Sequence, residues 1–266
     1  MTGPAEWRLL RDRPRAPALN MALDELLLAG EGPGAAAAAR PVLRLYAWDP
    51  PALSLGWFQP AEAFDAAALA AAGVTVVRRP TGGGAIHHDH ELTFAVTAMP
   101  GQHGYPAETQ AAYAWVHGVL IGALARCGVR AAFRGGDWPL SIRPRDGSLC
   151  FRDHTALDLV DEQGRKLVGS AQRRRGGRVL HHGSVPLTAP ALTPDCGSVS
   201  AAAGRAVSWE ELADAVEEAF GEALADVPAR LVPDRFRADE LARAELARAE
   251  LVRAELVRAR QRGESL

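Results

Sequence analysis

Lysine is nearly missing from this chain. Of its 30 basic residues only one is lysine, Lys166 in "DEQGRKLVGSAQRRR", and the rest are arginine. An arginine-rich composition explains the majority and makes the exception informative. Lysine is a compact ammonium whose proton can be moved by its surroundings, whereas arginine is a planar, permanently charged fork. Cysteine is scarce as well: Cys127, Cys150 and Cys196 stand at spacings that match neither a disulfide framework nor a zinc site. An odd count suits a reducing compartment. There is no excess of either charge, the net value being −2, which argues against a dedicated nucleic-acid binder. No apolar run is long enough to span a bilayer, and the N-terminus "MTGPAEWRLLRDRPRAP" lacks the apolar core of a signal peptide. The expectation is a cytoplasmic protein, monomeric, that engages neither membrane nor nucleic acid.

What is present is a chain of 266 residues, 48% hydrophobic, long enough for one large domain with an appendage. Alanine runs such as "DAAALAAAG" inflate the apolar figure. Strand and helix signals alternate irregularly. "EWRLL" reads as a strand and "NMALDELLLAG" as a helix that Gly30 ends. "VLRLYAW" and "ALSLGWF", separated by Asp49, Pro50 and Pro51, read as a hairpin. A helix is expected from Pro60 to Gly73, then a buried strand "VTVVRR", a glycine loop, and strands "AIHHD" and "ELTFAVTAM". A long helix should run from about Pro106 to Gly128. "ALDLVDEQGRKLVGSAQ" reads as a hairpin turning at Gln163–Gly164, so that Lys166 opens its second strand, and "RVLHHGSVPL" as a further strand. Ser208 followed by Glu211 is a capping box for "SWEELADAVEEAFGEAL". Strands returning through hairpins with helices on one side give an α+β fold, with a mixed, mostly antiparallel sheet flanked by helices.

The pattern divides into a sheet domain over 1–228 and a helical tail over 234–262. The tail repeats "AELAR/AELVR" every five residues, a step of about 140° beyond a full helical turn. Leu241, Leu246, Leu251 and Leu256 therefore spiral around the axis and make no continuous stripe. Glu240–Arg243, Glu245–Arg248, Glu250–Arg253 and Glu255–Arg258 are weak i,i+3 pairs. The tail is expected to be a solvated helix.

Three stretches carry chemistry. In "RRPTGGGAIHHD" three consecutive glycines allow close backbone approach to a ligand, and Arg78, Arg79, His88 and Asp89 flank them. The stretch is neither a dinucleotide fingerprint nor a Walker loop; a flexible hairpin is the plain alternative. His88 and His90 would share a strand face, but no spacing here matches a metal geometry, so no metal is expected. Cys150 precedes the hairpin of Lys166. A thiol near an ammonium favours the nucleophilic thiolate, and such a pair suits acyl transfer from a thioester. Cys196, in "TPDCGSVS", is a second candidate nucleophile, and Cys127 reads as structural.

From about Trp7 to Leu224, the stretches "NMALDELLL", "LRLYAWDPPALSLGWFQ", "RRPTGGGAIHHDHELTFAV", "GRKLVGSAQ" and "HHGSVPL" resemble, in order and spacing, the biotin and lipoate protein ligase and octanoyltransferase superfamily. The resemblance implies the class II synthetase and biotin-ligase-like fold. Within that superfamily the chain is most similar to octanoyltransferases that look like lipoate ligases, which carry their catalytic cysteine in a "CF" context matched by Cys150–Phe151. Gly84 is more similar to the ATP-dependent ligases. The resemblance implies that Cys150 takes octanoyl from acyl carrier protein as a thioester. A lysine of a lipoyl domain of a 2-oxoacid dehydrogenase, or of the glycine-cleavage H protein, then attacks it, with Lys166 as the partner of the cysteine. It further implies that Gly82, Gly83 and Gly84 and the strand residues Gly169, Ser170, Ala171 and Gln172 line an acyl tunnel. Arg78, His88, Asp89, His182 and Gly183 would complete its walls. No cofactor is needed on this reading. The alternatives are an ATP-dependent lipoate ligase, which would use ATP and magnesium and often carries a further globular domain, and an amidotransferase that moves octanoyl between lipoyl domains.

Overall fold

The computed structural model describes residues 4–30, 40–139 and 147–261, with side chains as far as residue 249. Eleven strands and six α-helices are present among them. Strands β1 (Ala5–Arg11), β2 (Val42–Tyr46), β6 (Glu91–Ala98), β7 (Ala132–Phe133), β8 (Leu159–Val160), β9 (Lys166–Arg175), β10 (Arg178–Pro186) and β11 (Ala229–Asp234) form one sheet in the order β11-β1-β2-β6-β10-β9-β8-β7. The β11–β1 and β1–β2 pairs are parallel and the pairs from β2 onward are antiparallel. Strands β3 (Ala52–Leu55), β4 (Thr75–Arg78) and β5 (Ile86–His88) form a second, small sheet.

Period-two alternation in the large sheet separates a packing face from a working face. Leu43, Leu45, Leu92, Phe94, Val96 and Val179 face helices α3 (Thr109–Arg126) and α5 (Trp209–Ala223) and form the main core with Trp7 and Phe220. The intervening residues of the same strands include Arg44, Tyr46, Glu91, Thr93, His182 and Ser184, all buried. Helix α1 (Pro17–Ala29) and the small sheet cover that second face through Met21, Leu28, Ala52 and Val77, with Trp48 of the β2–β3 connection beside them. Helices therefore lie on both faces of the large sheet, where the strand pattern alone had placed them on one.

Several local expectations hold. Pro17 opens α1, and Gly30 ends it in the left-handed conformation, φ 68°. Ser208 accepts the Glu211 amide at the start of α5, although the Glu211 carboxylate turns to Arg205 instead of closing the box. Others do not hold. β2 and β3 are not a hairpin, because they belong to different sheets. The alanine-rich stretch after Pro60 yields a short 3-10 turn and then helix α2, only Ala66–Ala71, capped by the Asp65 side chain. β4 is half-buried at the edge of the small sheet.

The tail also departs from expectation. β11 carries the large sheet to Asp234, and the first half of helix α6 (Ala238–Gln261) docks on α1 through Leu241, Ala244 and Ala247. Buried Arg8 holds it there, donating to Asp234 at 2.7 Å and to both oxygens of Glu240 at 2.7 and 3.0 Å. Leu246 is 67% exposed, as the five-residue step requires. Glu245–Arg248 forms as expected, whereas Arg243 pairs with Asp239. The two later pairs lie outside the described side chains. A short helix, α4 (Val199–Ala203), completes the inventory.

Candidate active site

Lys166 owes its position to the turn before it. The Asp161 carboxylate accepts the amides of Gln163 and Arg165 at 3.0 and 2.9 Å, and Gly164 adopts φ 74°, so the chain reverses and β9 starts at Lys166. The lysine side chain is buried. Its ammonium donates to the carbonyls of Cys150 and Asp153 at 2.8 and 3.1 Å and lies 3.0 Å from the Asp158 carboxylate. The Cys150 sulfur is 3.7 Å away.

The glycine loop holds the cysteine from the other side. Ala85, which follows the three glycines, donates to the Ser148 carbonyl at 2.9 Å and accepts the Cys150 amide at 2.8 Å. A Cβ on Gly84 would sit 2.8 Å from the Cys150 nitrogen. A Cβ on Gly169 would sit 3.1 Å from the sulfur, and one on Gly183 would strike Phe94 at 2.7 Å. Glycine at these positions lets β9, β10 and the loop close around the thiol.

Two cavities meet at Cys150. The first, about 380 Å³, runs between the two sheets and is lined by Met21, Tyr46, Trp48, Ile86, His88 and His182, with Gly83, Ala171 and Gly183 on its walls. The second is larger and more polar than the first and is bounded by Gly82–Gly84, Tyr113, His117, Asp153, Asp158, Lys166 and Gln172; Ser170 and Ala171 line both.

Hydrogen bonds fix the polar side chains around the apolar cavity. His182 donates from Nδ1 to Asp24 at 2.9 Å and accepts the Thr81 hydroxyl at Nε2, 2.6 Å. Burial works to raise the Asp24 carboxyl, but His182, Arg44 and Tyr46 together hold it below its usual range. His88 repeats the arrangement with Glu91 at 2.8 Å and Ser54 at 2.7 Å, while Trp48 stacks on its ring at 4.0 Å. Burial likewise opposes ionisation of Glu91, and His88 with two hydroxyls overrides it. In the polar cavity His117 donates from Nδ1 to the Leu157 carbonyl at 2.7 Å, so its Nε2 accepts the Ser170 hydroxyl at 2.8 Å. Ser170 then takes its other bond from His181 at 3.1 Å, and His181 accepts Gln172 at 3.2 Å. One backbone carbonyl thereby sets every tautomer in the chain. Burial brings His117 down to about 4 and holds His181 well below its ordinary value, so both rings are neutral at pH 7.

The structure brings Cys150, Lys166, Gly82–Gly84, Gly169–Gln172, His88, His182 and Gly183 to this junction. It does not bring Arg78 or Asp89. Arg78 points to the other side of β4 and clamps the carbonyls of Gly56, Trp57 and Gln59. Its neighbour Arg79 lines the apolar cavity, donating to Ser54, Gly82 and Gly84 at 2.9, 2.6 and 2.7 Å. Burial without a carboxylate lowers the Arg79 guanidinium to about 10, and the Cys150 and Tyr113 side chains act in the opposite direction. Asp89 belongs to a separate cleft with Arg11, Trp209 and Glu210. His90 is exposed in the turn after β5 and shares no face with His88. Cys196 is buried among Ile86 and Phe151, and burial raises its thiol; Cys127 ends α3 inside the main core. Among the described residues no group of three His, Cys, Asp or Glu side chains could hold a metal ion, and no helix is long and apolar enough to cross a membrane.

The family pattern for the lipoyl protein ligase A/B catalytic domain matches residues 16–192. The chain belongs to that family. An octanoyltransferase LipM from Kyrpidia tusciae is 35% identical over 254 residues, covering 85% of this chain and 89% of that protein. The one from Symbiobacterium thermophilum is 36% identical, covering 82% and 86%. Among solved structures, lipoate-protein ligase A bound with ATP superposes with a TM-score of 0.72 at 23% identity, covering 92% of this chain and 94% of that one. The bi-partite lipoate protein ligase of Thermoplasma acidophilum gives 0.70 at 22% identity, covering 92% of each. These superpositions show the lipoyl protein ligase fold, and the sequence matches show the octanoyltransferase branch.

Proposed function

We propose that this chain is an acyltransferase of protein lipoylation that moves an octanoyl group from acyl carrier protein to a lysine of a lipoyl domain or of the glycine-cleavage H protein, with Cys150 as nucleophile. One contact carries the assignment of residues: the ammonium of the chain's single lysine lies 3.7 Å from a partly buried thiol at the mouth of an apolar slot. The Cys150 sulfur attacks the thioester carbonyl and the carrier leaves as its thiol, taking up the proton that the cysteine gives up. The oxyanion formed in between faces Lys166, whose ammonium is already oriented by the Cys150 and Asp153 carbonyls and Asp158. The octanoyl chain lies in the apolar slot against Met21, Trp48 and Ile86. In the second half-reaction the acceptor amine enters from the polar cavity and attacks the same carbonyl. The amide forms, the Cys150–carbonyl bond breaks, and the amine proton leaves with the solvent or the sulfur.

Incubation with octanoyl-carrier protein and a lipoyl domain, without nucleotide, tests this directly. Octanoylation of the acceptor lysine is expected at a rate that ATP leaves unchanged. Modification from free lipoate that requires ATP and survives Cys150→Ser would instead assign a ligase.

A further inference from the structure

The turn after β3 carries two aromatic side chains that acyl transfer does not use. Phe58 is 84% exposed and Trp57 43%. The turn is nevertheless rigidly framed. Arg78 donates to the Gly56, Trp57 and Gln59 carbonyls at 2.8, 3.2 and 2.7 Å. Gln59 accepts the Gly56 amide at 3.0 Å and donates to the Ser148 carbonyl at 2.9 Å, two residues from the thiol. Gly56 rests so closely on the glycine loop that a Cβ there would lie 2.0 Å from the Gly83 carbonyl oxygen. An aromatic presented on a preorganised frame loses little freedom on binding, and aromatic and arginine side chains dominate protein interfaces.

Charge is the second observation. Arg173 stacks its guanidinium 4.6 Å over the Trp57 ring and donates to the Pro80 carbonyl, and Arg174 donates to the Ala107 carbonyl. Arg174 and Arg175 are exposed. Among the described residues none of the three forms an ion pair; the carboxyl that feels Arg173 and Arg175 is Glu25, which burial raises. Elsewhere Arg11, Arg126, Arg130 and Arg205 are each held to a carboxylate. Cations without an ion-pair partner among the described residues, set around an exposed aromatic, complement an acidic, partly apolar surface.

We propose that Trp57, Phe58 and Arg173–Arg175 form the docking surface for the protein that delivers the acyl thioester, which they meet through its acidic face. This rests on the acyl-transfer reading above. The donor is assigned because the turn continues β3, whose Ser54 lines the apolar cavity and not the second one. The acceptor's polar entrance is rimmed instead by Tyr113, Thr155 and Gln172.

The test follows acylation of Cys150 by intact mass, with octanoyl-carrier protein and with octanoyl-pantetheine as donors. Phe58→Ala and the pair Arg174→Glu/Arg175→Glu are expected to lower kcat/KM for the carrier by about 10- to 30-fold, while octanoyl-pantetheine reacts within about twofold of the parent protein. The charge-reversed pair should also lose the salt dependence of the carrier reaction. Unchanged carrier kinetics, equal losses with both donors, or a loss confined to transfer onto the lipoyl domain would each overturn the proposal. A parent protein that neither donor acylates would instead defeat the acyl-transfer reading itself.

Discussion

Replacing Lys166 by methionine separates what the lysine does for the fold from what it does for the chemistry. The thioether chain fills the space of the lysine stem, but the Asp158 carboxylate, buried with 8% side-chain exposure, keeps among the described residues the Thr155 amide at 2.8 Å as its hydrogen-bond partner. Removing one member of a buried pair costs roughly 3–5 kcal/mol, much of it for the charge left behind. At about 2–4 °C per kcal/mol for a chain of this size, Tm should fall by about 6–20 °C. Adding Asp158→Asn removes the stranded charge while an amide oxygen still accepts from Thr155, so the double variant should regain most of that loss. Acylation of Cys150 should stay depressed in both, by about 10²–10³-fold, the scale for losing one group that stabilises the oxyanion. Calorimetry and single-turnover acylation on the two variants provide the check. A double variant as unstable as the single one, or one that recovers acylation, would refute the separation.

Two further outcomes follow from the site. Gly84→Ala should cut acylation at least tenfold, because its methyl meets the Cys150 backbone at 2.8 Å, whereas Gly82→Ala, with nothing within 4 Å of its Cβ, should stay near the parent rate in the same assay. In pH titrations of Tm, the neutral, buried His117 binds its proton at about 4 when folded and near 6.5 when unfolded. The unfolded chain therefore holds more protons between those values. Stability is full above about 6.5 and falls by about 3 kcal/mol as the pH drops to about 4. His181 and His182 act in the same direction, and His117→Gln should flatten the slope; a slope unchanged in that variant contradicts the assignment.

The proximity of Cys150 and Lys166 was legible because composition singled the two out: one lysine in a field of arginines, and a cysteine shortly before its hairpin. The glycine loop was legible too, since three glycines in a row allow close backbone approach and charged and histidine side chains flank them. Arg78 and Arg79 show where such reading stops. Arg78 ends β4 and Arg79 follows it, so one points to the Gly56–Gln59 turn and the other into the cavity, and which goes where depends on a register that the small sheet sets. The pairs His182–Asp24 and His88–Glu91 were half visible. Both histidines stood out, but Asp24 sits on the inward face of α1, 158 residues from its partner, and an acid in a leucine-rich helix reads as solvated. The tail misled for the opposite reason. Its repeat makes no stripe, yet Arg8, far away in the chain, supplies the buried ion pair that seats its first turn.

The central claim is that the thiol of Cys150 bears the acyl group. Intact mass after brief exposure to octanoyl-carrier protein, with the lipoyl domain withheld, should show a single octanoyl addition that hydroxylamine removes. The addition should persist in Cys196→Ser and vanish in Cys150→Ser. An adduct that survives loss of Cys150, or that moves to Cys196, would contradict the account.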